Sequence, residues 1–131
     1  MGEFVADKVI KLMCKNRVEV VGSKVLILGF AFKENCPDIR NTKVVGIVHE
    51  LEDFGLDVDV CDPLADKKEV QESYNITLVE NPILDKYTLI ILAVPHAAFL
   101  EPEGFDFASL SAPILFDLKA ALPRHIHTLR L

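Results

Sequence analysis

The stretch that decides the fold is LILGFAFKENCPDIRNT, residues 26–42. An apolar run ends at Gly29, a charged loop containing Lys33 and Arg40 follows, and a helical pattern resumes after Asn41-Thr42. Open α/β sheets bind their ligands where a strand ends in a loop that re-enters a helix. Two cations seven residues apart at such a place predict an anionic ligand, and phosphate is the favoured one.

Length and charge narrow the classes to which the protein can belong. The chain has 131 residues, of which 50% are apolar, and its formal net charge is −6. This size and composition predict one compact domain with a substantial core. The acidic balance argues against a role at nucleic acid or a membrane surface, where excess basic charge supplies the affinity. An anion site must therefore be a local cluster of Lys and Arg.

The lack of a recognisable targeting signal and the pattern of cysteines predict a cytoplasmic protein. No apolar run approaches the length of a membrane span, and the amphipathic, charged residues 1–16 do not resemble a secretory signal. Cys14, Cys36 and Cys61 form an odd set without CxxC spacing, which is typical of reduced thiols.

The apolar periodicity predicts alternating helices and strands. Helices are expected over residues 2–16, 42–54 and, for a short polar one, 66–73. Strands are expected over residues 24–29, 56–61, 87–94 and 114–116, with a brief edge strand over 76–79, a helical turn within 96–110 and little pattern in the tail. This order predicts a Rossmann-like, three-layer α/β domain with a mostly parallel sheet, preceded by an N-terminal helix.

The loop after the first strand is not a dinucleotide fingerprint. That fingerprint requires G-x-G-x-x-G at the strand–helix turn, whereas Gly29 stands alone here. Asp62-Pro63 ends the second strand, where an acidic residue holds a ribose in dinucleotide folds. Without the glycines, a strand-end turn is the favoured interpretation of Asp62.

Each charged residue of the loop has a functional and a structural interpretation. Lys33 either points its ammonium into a cleft or is a solvated loop lysine. Asp38 and Arg40 either form a surface ion pair of little energetic value or pair in a way that leaves part of the guanidinium available to phosphate. Asn41-Thr42 is predicted to cap the following helix.

Five further positions also have a functional and a structural interpretation. His96, just past a strand, is either a site residue or, as is commoner, a turn residue. Cys36 has no paired base and is interpreted as structural. His125 and His127 lack ligand neighbours, so no metal site is predicted. Lys119 follows the last strand and would share a sheet edge with Lys33, as a second contact to phosphate or uracil, or be a solvated lysine.

These motifs together resemble the C-terminal domain of the UDP-glucose/GDP-mannose dehydrogenase family. The resemblance rests on G-x-x-F-K followed by D-x-R in residues 29–40, and it continues through Asp62-Pro63, the run AVPH at 93–96 and the run FDLK at 116–119. It covers nearly the whole chain and is closest to the branch that acts on UDP-N-acetylhexosamines.

The resemblance implies an NAD-dependent oxidation of a UDP-sugar at C6 to the uronic acid, in two steps through a catalytic cysteine. It implies that residues 1–20 are the end of the central dimerisation helix and that residues 21–131 bind the UDP-sugar. Phe32 and Lys33 would contact the substrate and Arg40 would reach the NAD pyrophosphate. Lys119 stands where many members have Arg, and it cannot form the same bidentate contact.

The catalytic cysteine and the NAD-binding glycines of the family precede the matched region, so the chain is expected to be inactive alone. The expected partners are the N-terminal domain of the full-length enzyme and a second subunit in a homodimer or larger assembly. Without that context, the apolar stripe formed by Val5, Val9, Leu12 and Met13 is expected to lack a partner. The alternative function is a non-catalytic dimerisation or regulatory module that keeps the sheet.

Overall fold

The computed structural model describes residues 2–31, 33–40, 42–100, 104–105, 107, 114–118 and 129–130. Five residues discussed above, Phe32, Asn41, Lys119, His125 and His127, therefore lie outside the described residues.

Helices and strands alternate along the described chain. The α-helices are α1 (Gly2–Lys15), α2 (Val44–Asp53) and α3 (Lys67–Tyr74), and the strands are β1 (Lys24–Leu28), β2 (Asp57–Cys61), β3 (Leu89–Leu92), β4 (Ile114–Asp117) and β5 (Leu129–Arg130). Short 3-10 turns occur at Leu84–Lys86 and Ala97–Phe99. The carboxylate of Asp66 caps α3 by accepting the N–H groups of Lys68 and Glu69, as expected of an acidic residue before a first turn.

The five strands form one parallel sheet in the order β2-β1-β3-β4-β5. Strand β1 pairs with β2 on one side and with β3 on the other, so Leu28 aligns with both Cys61 and Leu92. In this order the connections diverge between β1 and β3, which is the switch point where doubly wound sheets open a crevice at the carboxyl ends of their strands. The charged loop after β1 and the Pro95-His96 segment after β3 both start at that point.

Both faces of the sheet are covered. One face packs against α1 and α2 and presents Val25, Ile27, Leu89 and Ile91. The opposite face packs against the two 3-10 turns and presents Leu26, Leu28, Ile90 and Leu92. This double coverage explains why β1 and β3 are almost continuous apolar runs rather than alternating ones. The predicted fold class is therefore confirmed.

The apolar stripe of α1 has a partner, contrary to the expectation from the sequence. Val5, Val9 and Met13 are at most 1% exposed and belong to the main core with residues of α2, while Leu12 is half-buried against it. The helix closes over α2 because both helices present apolar residues at helical spacing to each other. The sequence gives no direct sign of this pairing, since amphipathic periodicity does not identify the surface that a helix covers.

Two strand predictions differ from the structure. Residues 76–79 make a single parallel bridge, between Val60 and Leu78, instead of a strand. Strand β5 falls in the tail, where the sequence has little pattern; two residues are too few for a period of two to be recognised.

Candidate functional site

The residues after β1, β2 and β3 meet at the carboxyl edge of the sheet. Gly29, the first residue after β1, has a φ of +100°. A Cβ at this position would lie 2.5 Å from the Cβ of Val94. Only glycine combines this left-handed backbone with so close an approach of the segment after β3. The single glycine of the loop therefore brings the β1 and β3 segments together instead of cradling a pyrophosphate.

Asp62 is the centre of this junction, and its side chain is fully buried. Its Oδ2 accepts the N–H groups of Phe30 at 2.7 Å and Ala31 at 2.9 Å. Its Oδ1 accepts the N–H groups of Leu64 at 2.9 Å and Ala65 at 3.2 Å. The carboxylate thus ties the start of the β1 loop to the turn after β2.

His96, in the segment after β3, makes a further hydrogen bond to Asp62. The ring is fully buried, and its Nε2 lies 2.9 Å from Oδ2 of Asp62. Burial opposes ionisation of Asp62, yet the hydrogen bonds from His96, Phe30 and Ala31 lower the pKa of its carboxyl to about 2. The carboxylate is therefore charged at neutral pH, with its charge spread over five hydrogen bonds.

These contacts decide between the two interpretations of Asp62. A carboxylate offers about four lone-pair sites, and five donors already occupy them, so no acceptor remains for a ribose hydroxyl. Asp62 is the structural residue of a strand-end turn, as the sequence favoured. His96 is a residue of the same network and not an isolated turn residue.

Other anchors hold the rest of the loop. Thr42 donates its hydroxyl proton to the carbonyl of Phe30 at 2.6 Å and accepts the N–H of Val44, the first residue of α2, at 3.2 Å. Tyr74 of α3 donates its hydroxyl proton to the carbonyl of Ile39 at 2.8 Å. Thr42 thus satisfies a helix N–H as predicted, although it precedes Lys43, the N-cap residue.

The two cations of the loop lie between the anchors and face solvent. Lys33 is exposed. Arg40 is 83% exposed and forms a bidentate pair with Asp38, with Nε–Oδ1 and Nη2–Oδ2 distances of 3.0 Å each. The hydrogen bonds from Arg40 hold the pKa of the Asp38 carboxyl below its usual value. The pairing expected from the sequence is present, and the remaining N–H donors of the fork are not engaged by Asp38.

The cysteines show different environments. Burial, together with the charges of Asp62 and Glu80, raises the pKa of the Cys61 thiol to about 11. Its thiol is therefore protonated at neutral pH and is a poor nucleophile. Cys36 is half-buried, Cys14 is exposed, and all three are free thiols. Among the described residues, no group of three or more His, Cys, Asp or Glu side chains could hold a metal ion.

A cleft of about 580 Å³ lies beside the junction, between the turn after β2 and the segment after β3. Asp62, Pro63, Leu78, Phe99 and Phe105 contribute to its lining, whereas Lys33 and Arg40 do not. The binding of an anionic ligand by these two cations therefore stays a prediction.

Sequence reasoning did not identify the network as a unit. From the sequence, Asp62 and His96 are separate strand-end residues, and Asn35, which donates its N–H to His96, is not predicted to be a site residue. One signal could have found it. Strands β2 and β3 both flank β1, so polar residues just after these strands must meet the loop that follows β1.

Comparison with known proteins adds independent information. Residues 26–124 match the model of the UDP-glucose/GDP-mannose dehydrogenase family, UDP binding domain. The chain is 42% identical over its whole length to the UDP-N-acetyl-D-glucosamine 6-dehydrogenases of Salmonella typhi and Pseudomonas aeruginosa, covering 31% and 32% of those proteins. It thus spans about a third of the length of these relatives.

A solved structure agrees with the sequence comparison. A UDP-glucose dehydrogenase from Pyrobaculum islandicum superposes with a TM-score of 0.67 at 28% identity, over 88% of this chain and 26% of that one.

Within the described part of the chain, no helix is long and apolar enough to cross a membrane.

Proposed function

Because the chain belongs to the UDP-glucose/GDP-mannose dehydrogenase family, we propose that it is the UDP-sugar-binding, C-terminal domain of an NAD-dependent nucleotide-sugar 6-dehydrogenase. The substrate is proposed to be a UDP-N-acetylhexosamine, because the two relatives at 42% identity are named for UDP-N-acetyl-D-glucosamine. The observation that carries the proposal is the family match over residues 26–124, which includes the whole charged loop.

The oxidation chemistry is assigned to the rest of the enzyme. Cys61 holds its proton at neutral pH, and Cys36 does not match the position of the family's catalytic cysteine. NAD also fits this sheet poorly, since the loop after β1 lacks G-x-G-x-x-G and Asp62 has no acceptor left for a ribose. A separate N-terminal domain would therefore bind most of the cofactor, which accepts the hydride in each oxidation step.

Lys33 is the proposed substrate contact, together with Phe32 and Lys119. Lys33 is exposed, and the backbone close to it is held by the hydrogen bond from Asn35 to His96. Its ammonium is therefore available to a ligand that carries negative charge, such as a UDP-sugar. As a positive charge near the reacting end of the sugar, it would stabilise the negative charge that develops during oxidation. Closure of the two domains would then exclude water from the site.

Arg40 is the proposed cofactor contact of this chain. Its side chain is open to solvent, and Asp38 orients the guanidinium from one side. The remaining N–H groups could bind the NAD pyrophosphate across the domain cleft, since guanidinium forks suit phosphate oxygens. The proposal also includes a cytoplasmic location, a homodimer or larger assembly, and residues 1–20 as the end of the dimerisation helix.

The test is kinetic and uses the whole reading frame that contains this chain. We expect Lys33→Ala to lower kcat/KM for UDP-N-acetylglucosamine by about 100-fold or more, a typical cost of losing one charge-stabilising donor. Lys24→Ala is the matched control, because Lys24 is also exposed but begins β1 at the opposite edge of the sheet. It should change kcat/KM by less than about twofold. A near-wild-type Lys33→Ala enzyme would remove Lys33 from the site.

A further inference from the structure

The backbone on the N-terminal side of Lys33 is fixed by Asp62. The N–H groups of Phe30 and Ala31 both donate to the same buried carboxylate oxygen. Ala31 is itself only 2% exposed. Charged acceptors form the stronger class of hydrogen bond, so the loop is held firmly up to residue 31.

The backbone on the C-terminal side of Lys33 is fixed by the segment after β3. The N–H of Asn35 donates to Nδ1 of His96 at 2.8 Å, and the side-chain oxygen of Asn35 accepts the N–H of Ala97 at 2.8 Å. These reciprocal bonds join two segments that are about 60 residues apart in sequence. The φ of Asn35 is +60°, a left-handed conformation that Asn tolerates better than most residues.

The partners of His96 define its proton arrangement. Nδ1 accepts an N–H and so carries no proton, while Nε2 faces the charged Asp62 and so donates. The neutral ring therefore links the Asp62 anchor to the Asn35 anchor. The described part of the chain contains no buried side-chain polar atom without a partner, so nothing at this junction is free to rearrange without cost.

We propose that His96 is a positioning residue that sets the place of Lys33 by holding Asn35. The proposal rests on the proposed function, in which Lys33 contacts the UDP-sugar. With both anchors intact, Lys33 lies in the short stretch between the fixed residues Ala31 and Asn35. Without the Asn35 anchor, the next hydrogen bond from the described loop residues to another element is the bond between Tyr74 and Ile39, so the distance along the chain between fixed residues grows. A longer free segment has more conformations to lose when substrate binds.

Two substitutions of His96 separate its two hydrogen bonds. In His96→Asn, the amide oxygen takes the place of Nδ1 and can still accept the N–H of Asn35. In His96→Gln, the amide nitrogen takes the place of Nε2 and can still donate to Asp62, but the acceptor for Asn35 is lost. If His96 has only a structural role, through its buried bond to Asp62, His96→Gln should perturb the protein less than His96→Asn. If His96 positions Lys33, His96→Asn should perturb substrate binding less than His96→Gln.

The first measurement uses the 131-residue chain and needs no ligand. A ¹⁵N–¹⁵N coupling across the hydrogen bond is expected between the Asn35 amide and Nδ1 of His96. Amide hydrogen exchange at Asn35 should accelerate by about tenfold in His96→Gln and by no more than about threefold in His96→Asn, as expected for loss of one net hydrogen bond. Equal exchange in the two variants would overturn the proposal.

The second measurement uses the full-length enzyme. His96→Gln should raise KM for the UDP-sugar by about fivefold to tenfold, while His96→Asn stays closer to the wild type. Asn35→Gly, at an exposed position whose φ suits glycine, removes only the Ala97 bond and should give an intermediate KM while the chain stays folded. Wild-type KM values in His96→Gln and Asn35→Gly would contradict the proposal.

The two proposals can fail separately. If Lys33→Ala retains activity but the exchange pattern is as expected, the anchor exists and the proposed role of Lys33 is wrong. If Lys33→Ala loses activity but the two His96 variants exchange and bind alike, the proposed function survives and the positioning role of His96 is wrong.

Discussion

Two parts of the same loop are held in opposite ways. Phe30, Ala31 and Asn35 are tied by backbone hydrogen bonds to the buried side chains of Asp62 and His96, which lie about 30 and 60 residues away in sequence. Residues 38–40 are shaped by a local pair between Asp38 and Arg40, with the guanidinium in solvent. The difference indicates that the first part provides a fixed backbone and the second provides a charge that can change partner.

The strongest test of this comparison is Asp62→Asn. In the variant, an NH₂ group replaces one of the two carboxylate oxygens. The two backbone N–H groups that donate to that oxygen then lose their acceptor inside the protein. We expect a loss of about 3 kcal/mol in the free energy of unfolding, measured by urea denaturation. Asp66→Asn is the matched control, because that exposed side chain caps α3 and Asn is a comparable cap. Equal stability losses in the two variants would show that the junction is not a firm anchor.

Acid should weaken the buried part of the loop before it unfolds the rest. The pKa of Asp62 is about 2 in the folded chain, below its value in the unfolded chain, about 3.9. Its stabilising contribution, roughly 2 kcal/mol, is therefore complete above pH 4 and is lost as the pH falls from about 4 to 2. The measurement is a carboxyl ¹³C titration of Asp62 in the folded chain. A midpoint near 4 would show that the hydrogen bonds do not stabilise the charge.

The smallest effect on stability is expected at the exposed pair. Arg40→Ala removes a solvent-facing guanidinium and leaves Asp38 exposed to water, so the denaturation midpoint should be unchanged within error. In the full-length enzyme, the same variant should raise KM for NAD and leave KM for the UDP-sugar unchanged. Lys43→Ala, another exposed cation at the start of α2, is the control. A large loss of stability in Arg40→Ala would show that the pair is structural.

Much of the fold could be predicted because its signals are local. The apolar runs at β1 and β3 and the helical spacing of α2 each lie within a dozen residues. Their alternation leaves a parallel sheet as the simplest arrangement. The motif between Gly29 and Arg40 identified the family for the same reason, since it is contiguous.

The candidate site was predicted only in part. The loop, the Asp38–Arg40 pair and the structural role of Asp62 were anticipated from the residues. The packing of α1 on α2 was not, and neither was the link between Asn35 and His96.

The sequence by itself determined which segments become strands and helices, which family the chain resembles, and which side chains carry charge after β1. Only the tertiary structure decided that Asp62, His96 and Asn35 act as one unit and that α1 covers α2. The physical reason is that these contacts join residues far apart in the chain. Neither the periodicity nor the spacing of the sequence predicts these contacts. The contacts among Asp62, His96 and Asn35 form only when the parallel sheet aligns the ends of β1, β2 and β3.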